Sequence, residues 1–309
     1  MNGSIPTSAK PTVASIGMFD GVHIGHRMVL DVVKKLAVEK GMQSAVVTFR
    51  NHPAKVLNKN CSLQYIMSIS DRVKTIGEYG INGTILLDFD LELAALDSKS
   101  FMKYLRDEYC VRVLVIGFDH KFGSNRRCTF HDYVQQGVEL GVEVVRAPEY
   151  TGEFAPVSSS VIRAKITEGQ MREAAQRLGR YHYVKGEIVK GFQNGRKIGF
   201  PTANIAPFEK DIIVPKRGVY AVEISVESGE FLPGVCNIGL RPTVSENGKQ
   251  SVEVNIFDFD EDIYFKTAEV RFIEYIRGEQ RFGSLDELKE QIAKDSRTAR
   301  QILNSNHTI

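Results

Sequence analysis

The chain has almost no net charge, few cysteines and no long apolar run, and each shortage removes a class of function. Its 40 basic and 38 acidic residues leave a net charge of +2 over 309 residues. A balance that close gives no global pull toward nucleic acid or a membrane surface, so any anion site has to be a local arrangement. The four cysteines, Cys61, Cys110, Cys128 and Cys236, are scattered, with no CxxC pair and no Cys/His cluster. That spacing argues against a structural zinc and for reduced thiols in the cytosol. No run reaches the ~18 apolar residues that a membrane span needs. The first residues, MNGSIPTSAKPTVASIG, lack the charged-then-apolar order of a signal peptide. A cytoplasmic protein is expected, with small molecules rather than nucleic acid or lipid as partners.

What is present is ordinary globular composition, 42% hydrophobic and 25% charged, in a chain longer than one usual core. Two domains are expected. Residues 12 to about 178 alternate β-type runs (Thr12–Gly17, Gln43–Phe49, Thr84–Asp88, Val111–Gly117, Val142–Ala147) with amphipathic stretches at Gly25–Lys40, Ser70–Tyr79, Ser98–Tyr109 and Phe130–Leu140. That alternation predicts a parallel sheet with helices on both faces, closed by a helical pair at Ser159–Glu168 and Met171–Leu178. From Tyr181 the texture changes to short alternating runs at Val184–Val189, Val219–Val226, Phe231–Ile238, Val252–Phe257 and Ala268–Tyr275, separated by Gly, Pro and Asn. These predict an antiparallel sandwich or barrel. A last helix is expected from Ser284, where Ser-Leu-Asp-Glu has the form of a capping box. There is no internal repeat and no low-complexity tract.

In open parallel sheets, ligands bind beyond the carboxyl ends of the strands, above all where strand order reverses. The unusual segments of the first half stand at such ends: GMFDGVHIGH, TFRNHP, GFDHKFGSNRR and APVSSSVIR. In the first, Gly17 and Gly21, with Phe19 and Asp20 between them, allow a tight turn and a close approach of backbone to a nucleotide. His23 and His26 are three apart at a helix start, so both imidazoles can reach one triphosphate, and the helix N-terminus adds amide donors. Nucleotidyl transfer requires positioning and stabilisation of charge at phosphorus, which two imidazoles supply. The plain alternative is a helix cap with two incidental histidines. Ser159 and Ser160 either cap a helix or, with Arg163 in the same turn, clamp a phosphate. His52 and Asp119 are weaker candidates, each able simply to shape a loop. His120, Lys121, Arg126 and Arg127 form a basic loop that is either solvated or meets an acceptor's phosphate.

The informative stretch of the second half is KGFQNGRKIGFPTANI, in which Gly191, Arg196, Lys197 and Gly199 precede Pro201, Thr202 and Asn204. No GK[ST] follows a strand, so this is not a Walker A loop. It offers backbone donors for phosphate, and a hydroxyl plus an amide oxygen to hold Mg²⁺ beside it. A long hairpin turn with solvated charges is the plain alternative. Glu253, in SVEVNIF, either faces solvent or serves as base for a hydroxyl nucleophile. Arg277 and Glu279, in YIRGEQRF, end a strand where they could contact a polar heterocycle.

Together these residues resemble the bacterial bifunctional riboflavin kinase/FMN adenylyltransferase family, also called bacterial FAD synthetase, from about residue 12 to 303. GMFDGVHIGH, VIGFDHKFG, VSSSVIR, GRKIGFPTAN, RGVYAVEI, NIGLRPT, VEVNIFDFD and IRGEQRFGSLDEL stand in that family's order. The resemblance implies an α/β plus all-β protein. Residues 1–182 would form a doubly wound parallel-sheet HxGH nucleotidylyltransferase domain, and residues 183–309 an antiparallel β-barrel riboflavin kinase domain with a terminal helix. It implies two Mg²⁺-dependent reactions with ATP as co-substrate: riboflavin to FMN in the barrel, then FMN to FAD in the first domain. Thr202 and Asn204 would hold the metal and phosphates, Glu253 would activate the ribityl hydroxyl, and His23, His26, Ser159, Ser160 and Arg163 would bind the triphosphate. The expected partners are riboflavin, FMN and ATP, with the chain a monomer or weak homo-oligomer.

The sequence departs from the family's usual pattern at Asn51 (Pro), at Cys128 and Thr129 (Gly, then Asn or Asp), at Ser160 (Thr), at Asn255 (His) and at Tyr264-Phe265 (Tyr-Gly). The changes at 51, 128 and 129 are expected in loops that frame the flavin. Competing expectations are a riboflavin kinase with lost or altered adenylylation, a flavin- or nucleotide-binding regulator without turnover, and a relative that transfers CMP or AMP to another phosphate or alcohol acceptor. The last would have no reason to carry GFPTAN.

Overall fold

The computed structural model describes residues 10–58, 60–124, 127–191, 199–240 and 250–305. Contacts divide the chain into two compact units, Met1–Ser159 and Ser160–Ile309.

The first unit runs β1 (Thr12–Ile16), α1 (Ile24–Lys40), β2 (Gln43–Phe49), α2 (Pro53–Leu57), α3 (Ile69–Glu78), β3 (Gly83–Leu87), α4 (Leu91–Ala95), α5 (Ser98–Tyr109), β4 (Val111–Ile116), α6 (Phe130–Leu140) and β5 (Glu143–Arg146). The strands pair in parallel in the order β3-β2-β1-β4-β5. Side chains alternate across a strand, and here both faces are covered. Val13, Val46 and Val113 pack with Leu30 and Val33 of α1 and Ile76 of α3. Ala14, Val47 and Leu114 pack with Phe101 and Leu105 of α5 and Tyr133 of α6. Burial on both faces is why these strands read as continuous apolar runs rather than as alternating ones. Strand order reverses between β1 and β4, so a ligand crevice opens at their carboxyl ends. The expected doubly wound sheet is present.

Helices α2 and α4 do not announce themselves in the sequence. Each has five residues, too few to display a 3.6-residue period. The side chains of His52 and Asp90 cap them, accepting from Ala54 N and Leu93 N.

The second unit takes in α7 (Ser159–Glu168) and α8 (Met171–Leu178), then β6 (His182–Val189), β7 (Ala203–Pro207), β8 (Gly218–Val226), β9 (Phe231–Leu240), β10 (Gln250–Ile256), β11 (Thr267–Arg277) and α9 (Leu285–Asn304). All strand pairs are antiparallel and close a barrel in the order β10-β7-β6-β11-β8-β9. The contact division falls earlier than the expected 182/183 because α8 buries Met171, Ala174, Ala175 and Leu178 and packs on β6 and β11. An ion pair from Arg172 to Glu274 adds to that packing. Strand β7 was hidden in the sequence, where Asn204 and Pro207 weaken the β signal. Helix α9 begins as SLDE foretells: Ser284 Oγ accepts from Glu287 N at 3.2 Å. The Glu287 carboxylate, however, accepts from Gly283 N at 2.9 Å, one residue before the position a capping box uses. The helix packs on β8 and β9, placing Ala299 with Val219, Val235 and Phe257.

The barrel buries a histidine. His182 Nε2 lies 2.9 Å from Ile213 O, and since a carbonyl only accepts, Nε2 carries the proton. Its Nδ1 is buried without a partner among the described residues, and burial pushes the pKa down to about 4. The unfolded chain therefore binds a proton below pH ~6.5 that the folded barrel refuses until pH about 4. Stability is full above that upper value and falls as pH drops through the window, by about 3 kcal/mol at most. The denaturant midpoint of the barrel transition is expected to fall between pH 7 and pH 5 in the parent protein, and to fall less in His182→Gln.

Candidate active sites

The turn after β1 is built under strain. Phe19 and Val22 hold φ of 49° and 42° on either side of the Asp20-Gly21 pair, a conformation that costs non-glycine residues about 1–3 kcal/mol each. Asp20 is 1% exposed, and its carboxylate accepts from Ile66 N at 2.9 and 3.2 Å and from Met67 N at 3.4 Å. Its carbonyl accepts from Ser159 Oγ at 2.8 Å. Phe19 and Asp20 thus shape the turn from inside, while Gly17 lines the neighbouring cavity.

His23 caps α1, its Nδ1 accepting from His26 N at 3.2 Å. The two rings stack, with centroids 3.5 Å apart and planes 15° apart. Gly25 makes room for this arrangement, since a Cβ there would stand 3.3 Å from His23 Nδ1. His26 Nδ1 is buried, with no hydrogen-bond partner among the described residues. Burial first, then the nearby His23, His120 and Arg72, hold the His26 pKa well below the usual imidazole range, so the ring is neutral near pH 7. Arg72, on α3, is 2% exposed and escaped the sequence reading. Its Nη1 donates to Met18 O at 2.6 Å and its Nη2 to Phe49 O at 2.8 Å, tying together the residues that follow β1 and end β2. Ser160 and Arg163 belong to the second unit, where Arg163 Nη2 donates to Ser160 Oγ at 3.3 Å.

A cavity of about 310 Å³ opens at the carboxyl ends of these strands. Its wall is apolar, with Met18, Phe49, Phe89, Leu93, Phe101 and Phe122, and His120 and Lys121 supply polar groups. Asp119 is exposed outside this lining, and His52 spends Nδ1 on its capping bond at 3.1 Å. Asn51, Cys128 and Thr129 do not line the cavity either. Thr129 instead forms a complete capping box with Asp132 at the start of α6. The Cys128 thiol lies 3.6 Å from Ser98 Oγ and 3.9 Å from Gln136 Nε2. Two of the family departures therefore have local structural roles.

The barrel carries two cavities, of about 530 and 360 Å³, and Thr202 lines both. The larger is also lined by Gly191, Pro201, Asn204, Asp260, Asp262 and Tyr264. The smaller lies between the barrel wall and α9, with Asn237, Glu253, Asn255, Arg277, Glu279 and Asp295 on its wall. Register explains its polarity. Asn204 stands opposite Glu253, Glu253 opposite Asn237, Asn237 opposite Val219, and Val219 opposite Arg277, one band across five strands. Asn237 was not singled out from the sequence, because only the register puts it beside Glu253. Asn255, where the family usually has His, donates from Nδ2 to Pro201 O at 2.7 Å and so fixes the end of the FPTAN turn.

Arg277 is committed to α9: Nε donates to both carboxylate oxygens of Asp295 at 3.0 and 3.1 Å, and Nη2 donates to one of them at 2.6 Å. Phe265, where Gly is usual, holds φ 66° and is 67% exposed, which explains the family's preference for glycine at that position. Arg196 and Lys197 lie outside the described residues.

Gly191 has a specific reason to lack a side chain. A Cβ there would stand 2.4 Å from Asn204 Nδ2 and 2.8 Å from its Oδ1. Gly191→Ala is therefore expected to drive the Asn204 amide out of place and lower turnover at the barrel by roughly 10²-fold, the scale of an ångström's misplacement. Activity of the first unit should be unchanged, and steady-state assays of each reaction on the same preparation check this.

A doubly wound sheet with stacked histidines at its switch point, joined to a closed barrel with two adjoining cavities, defines a two-domain transferase that handles nucleotides in both parts. The FAD synthetase family model matches residues 5–161 and the riboflavin kinase model residues 178–303. The chain belongs to the bifunctional riboflavin kinase/FAD synthetase family. It is 34% identical over 291 residues to the bifunctional riboflavin kinase/FMN adenylyltransferase of Bacillus subtilis, covering 93% of this chain and 91% of that one. It is 34% identical to the Escherichia coli K12 protein of the same name, covering 94% and 92%, and 35% identical to that of Haemophilus influenzae, covering 94% of each. A crystal structure described as a macrolide-efflux protein from Streptococcus pneumoniae is similar over 95% of each chain, with 30% identity and a TM-score of 0.87. Among the described residues, no helix is long and apolar enough to cross a membrane.

Proposed function

We propose that the second unit transfers the γ-phosphoryl group of ATP to riboflavin, giving FMN and ADP, and that the first unit transfers AMP from a second ATP to FMN, giving FAD and pyrophosphate. The observation that carries the reading is the stacked His23–His26 pair at the start of α1, at the carboxyl ends of the sheet where a cavity lined mainly by apolar side chains also opens. In this reading the activities divide as 1–182 and 183–309, which fits the two family models, 5–161 and 178–303.

In the first reaction, the ribityl hydroxyl gives its proton to Glu253 as its oxygen attacks the γ-phosphorus, and the bond to the β-phosphate oxygen breaks. Glu253 suits this as the carboxylate of the polar band in the smaller cavity, and Thr202 stands where the two cavities meet. Mg²⁺ fits the larger cavity. Thr202 and Asn204 would hold it there together with the substrate phosphates, and Asp260 and Asp262 add hard oxygen donors. Among the described residues, no group of three His, Cys, Asp or Glu could hold a metal alone. Mg²⁺ is usually bound by a few protein oxygens plus phosphate. When bound, the ion neutralises charge on the phosphates.

In the second reaction, an FMN phosphate oxygen attacks the α-phosphorus of ATP and pyrophosphate leaves. Neutral His26 acts as a hydrogen-bonding group at the phosphates rather than as a cation, and His23 works beside it. Ser159, whose Oγ donates to Asp20 O within the same unit, joins the triphosphate grip in this reading. His120 and Lys121 meet the FMN phosphate while the flavin ring occupies the apolar cavity. We place the enzyme in the cytoplasm, as a monomer or weak homo-oligomer; the free thiols of Cys61, Cys110, Cys128 and Cys236 support a reducing compartment.

Incubation with riboflavin, Mg²⁺ and ATP, followed by separation of the flavins, tests the whole reading. FMN followed by FAD is expected. FMN that never proceeds to FAD would reduce the protein to a kinase, and no product at all would leave a binding protein.

A further inference from the structure

The loop after β4 hangs between two anchors, and one of them is an arginine that no motif contains. At the far end, Tyr133 accepts from Phe122 N and donates to Phe122 O, both at 3.2 Å, and the two rings stack at 4.5 Å. Ser124 N donates to Leu96 O at 2.8 Å just beyond. At the near end, Arg146 donates to Phe118 O from Nε at 3.1 Å and from Nη2 at 2.7 Å. Its guanidinium also lies over the rings of Phe118 and Phe130, at 4.6 and 5.2 Å. Asp119, His120 and Lys121 span the stretch between them, where His120 N donates to Gly117 O at 3.2 Å.

The far anchor belongs to the core, since Tyr133 is buried, whereas Arg146 is exposed at the end of β5, in register with Ile116. A planar guanidinium can donate twice to one carbonyl while stacking on aromatic faces; an ammonium cannot reproduce that geometry. Removing Arg146 therefore frees the near end of the loop without opening the core. The residues released include His120 and Lys121, which bring the charge-bearing and imidazole groups to the wall of the apolar cavity.

We propose that Arg146 is a positioning residue for adenylyl transfer: it fixes the His120–Lys121 loop and so sets affinity for the phosphate-bearing flavin acceptor. This rests on the function proposed above for the first unit. Arg146→Ala and Arg146→Lys should both raise the KM for FMN about tenfold, with kcat and the KM for ATP held and with FMN formation from riboflavin unchanged. Hydrogen exchange should quicken at the amides of residues 118–121 and stay unchanged at Phe122 and Ser124. The proposal is overturned by an unaltered KM for FMN in Arg146→Ala, by full recovery in Arg146→Lys, which would mean simple charge attraction, or by an equal rise in the KM for ATP. If the parent protein makes no FAD from FMN, the functional reading of the first unit fails. The exchange measurement then still decides whether Arg146 holds the loop, and unchanged exchange overturns the proposal.

Discussion

His26→Ala is expected to lower FAD formation from FMN and ATP by roughly 10²–10³-fold, the usual scale for losing one preorganised group at a transition state. The ring sits at the start of α1, stacked on His23, at the point where strand order reverses. Its depressed pKa makes it neutral near pH 7, so the loss is that of a hydrogen-bonding group and not of a positive charge. His26→Asn should therefore recover part of the rate, and His26→Lys little of it. FMN formation from riboflavin should be unaffected, because the barrel's cavities share no residue with this site. Resolving FMN and FAD in one assay checks both statements. Loss of both activities in folded protein would refute the assignment of two separate sites.

Glu253→Gln should give the opposite pattern. FMN formation should fall by roughly 10²–10⁴-fold, the range for removing a general base, while FAD formation from supplied FMN persists. The substitution preserves shape, and Glu253 is half-buried on β10 between Asn204 and Asn237, so the barrel should fold normally. An amide can still hold a hydroxyl in place but cannot take its proton, so the effect should fall on kcat and leave the KM for riboflavin little changed. A variant with normal kcat and weakened riboflavin binding would make Glu253 a binding residue and not the base.

The parts of this structure legible in the sequence are those with a local cause. Strands buried on both faces betray themselves as apolar runs, and His23, His26 and Glu253 stand within short patterns that imply their chemistry. What stayed hidden depends on partners distant in sequence. Arg72 reads as one more charge on an amphipathic helix, yet it bonds carbonyls 54 and 23 residues away. Arg277 lines the smaller cavity, but its tie to Asp295, 18 residues later, cannot be read from its own motif. Asn237 acquires its place only from barrel register, in which a one-residue slip would turn it to the other face. Asn51, Cys128 and Thr129 do not line the cavity of the first unit; Thr129 caps α6, and Cys128 lies against Ser98 and Gln136.

The dependence of the smaller barrel cavity on α9 has a consequence for how the protein comes into being. Chains leave the ribosome N-terminus first, and domains tend to fold in that order. The first unit has every strand and its histidine turn before Ser159, so it can mature while the barrel is still being made. The barrel can close once β11 emerges, but Leu288, Ile292 and the Asp295 that fixes Arg277 come later still. On a translating ribosome, the activity that acts second on the flavin would be assembled first, and the activity that acts first would await the last helix.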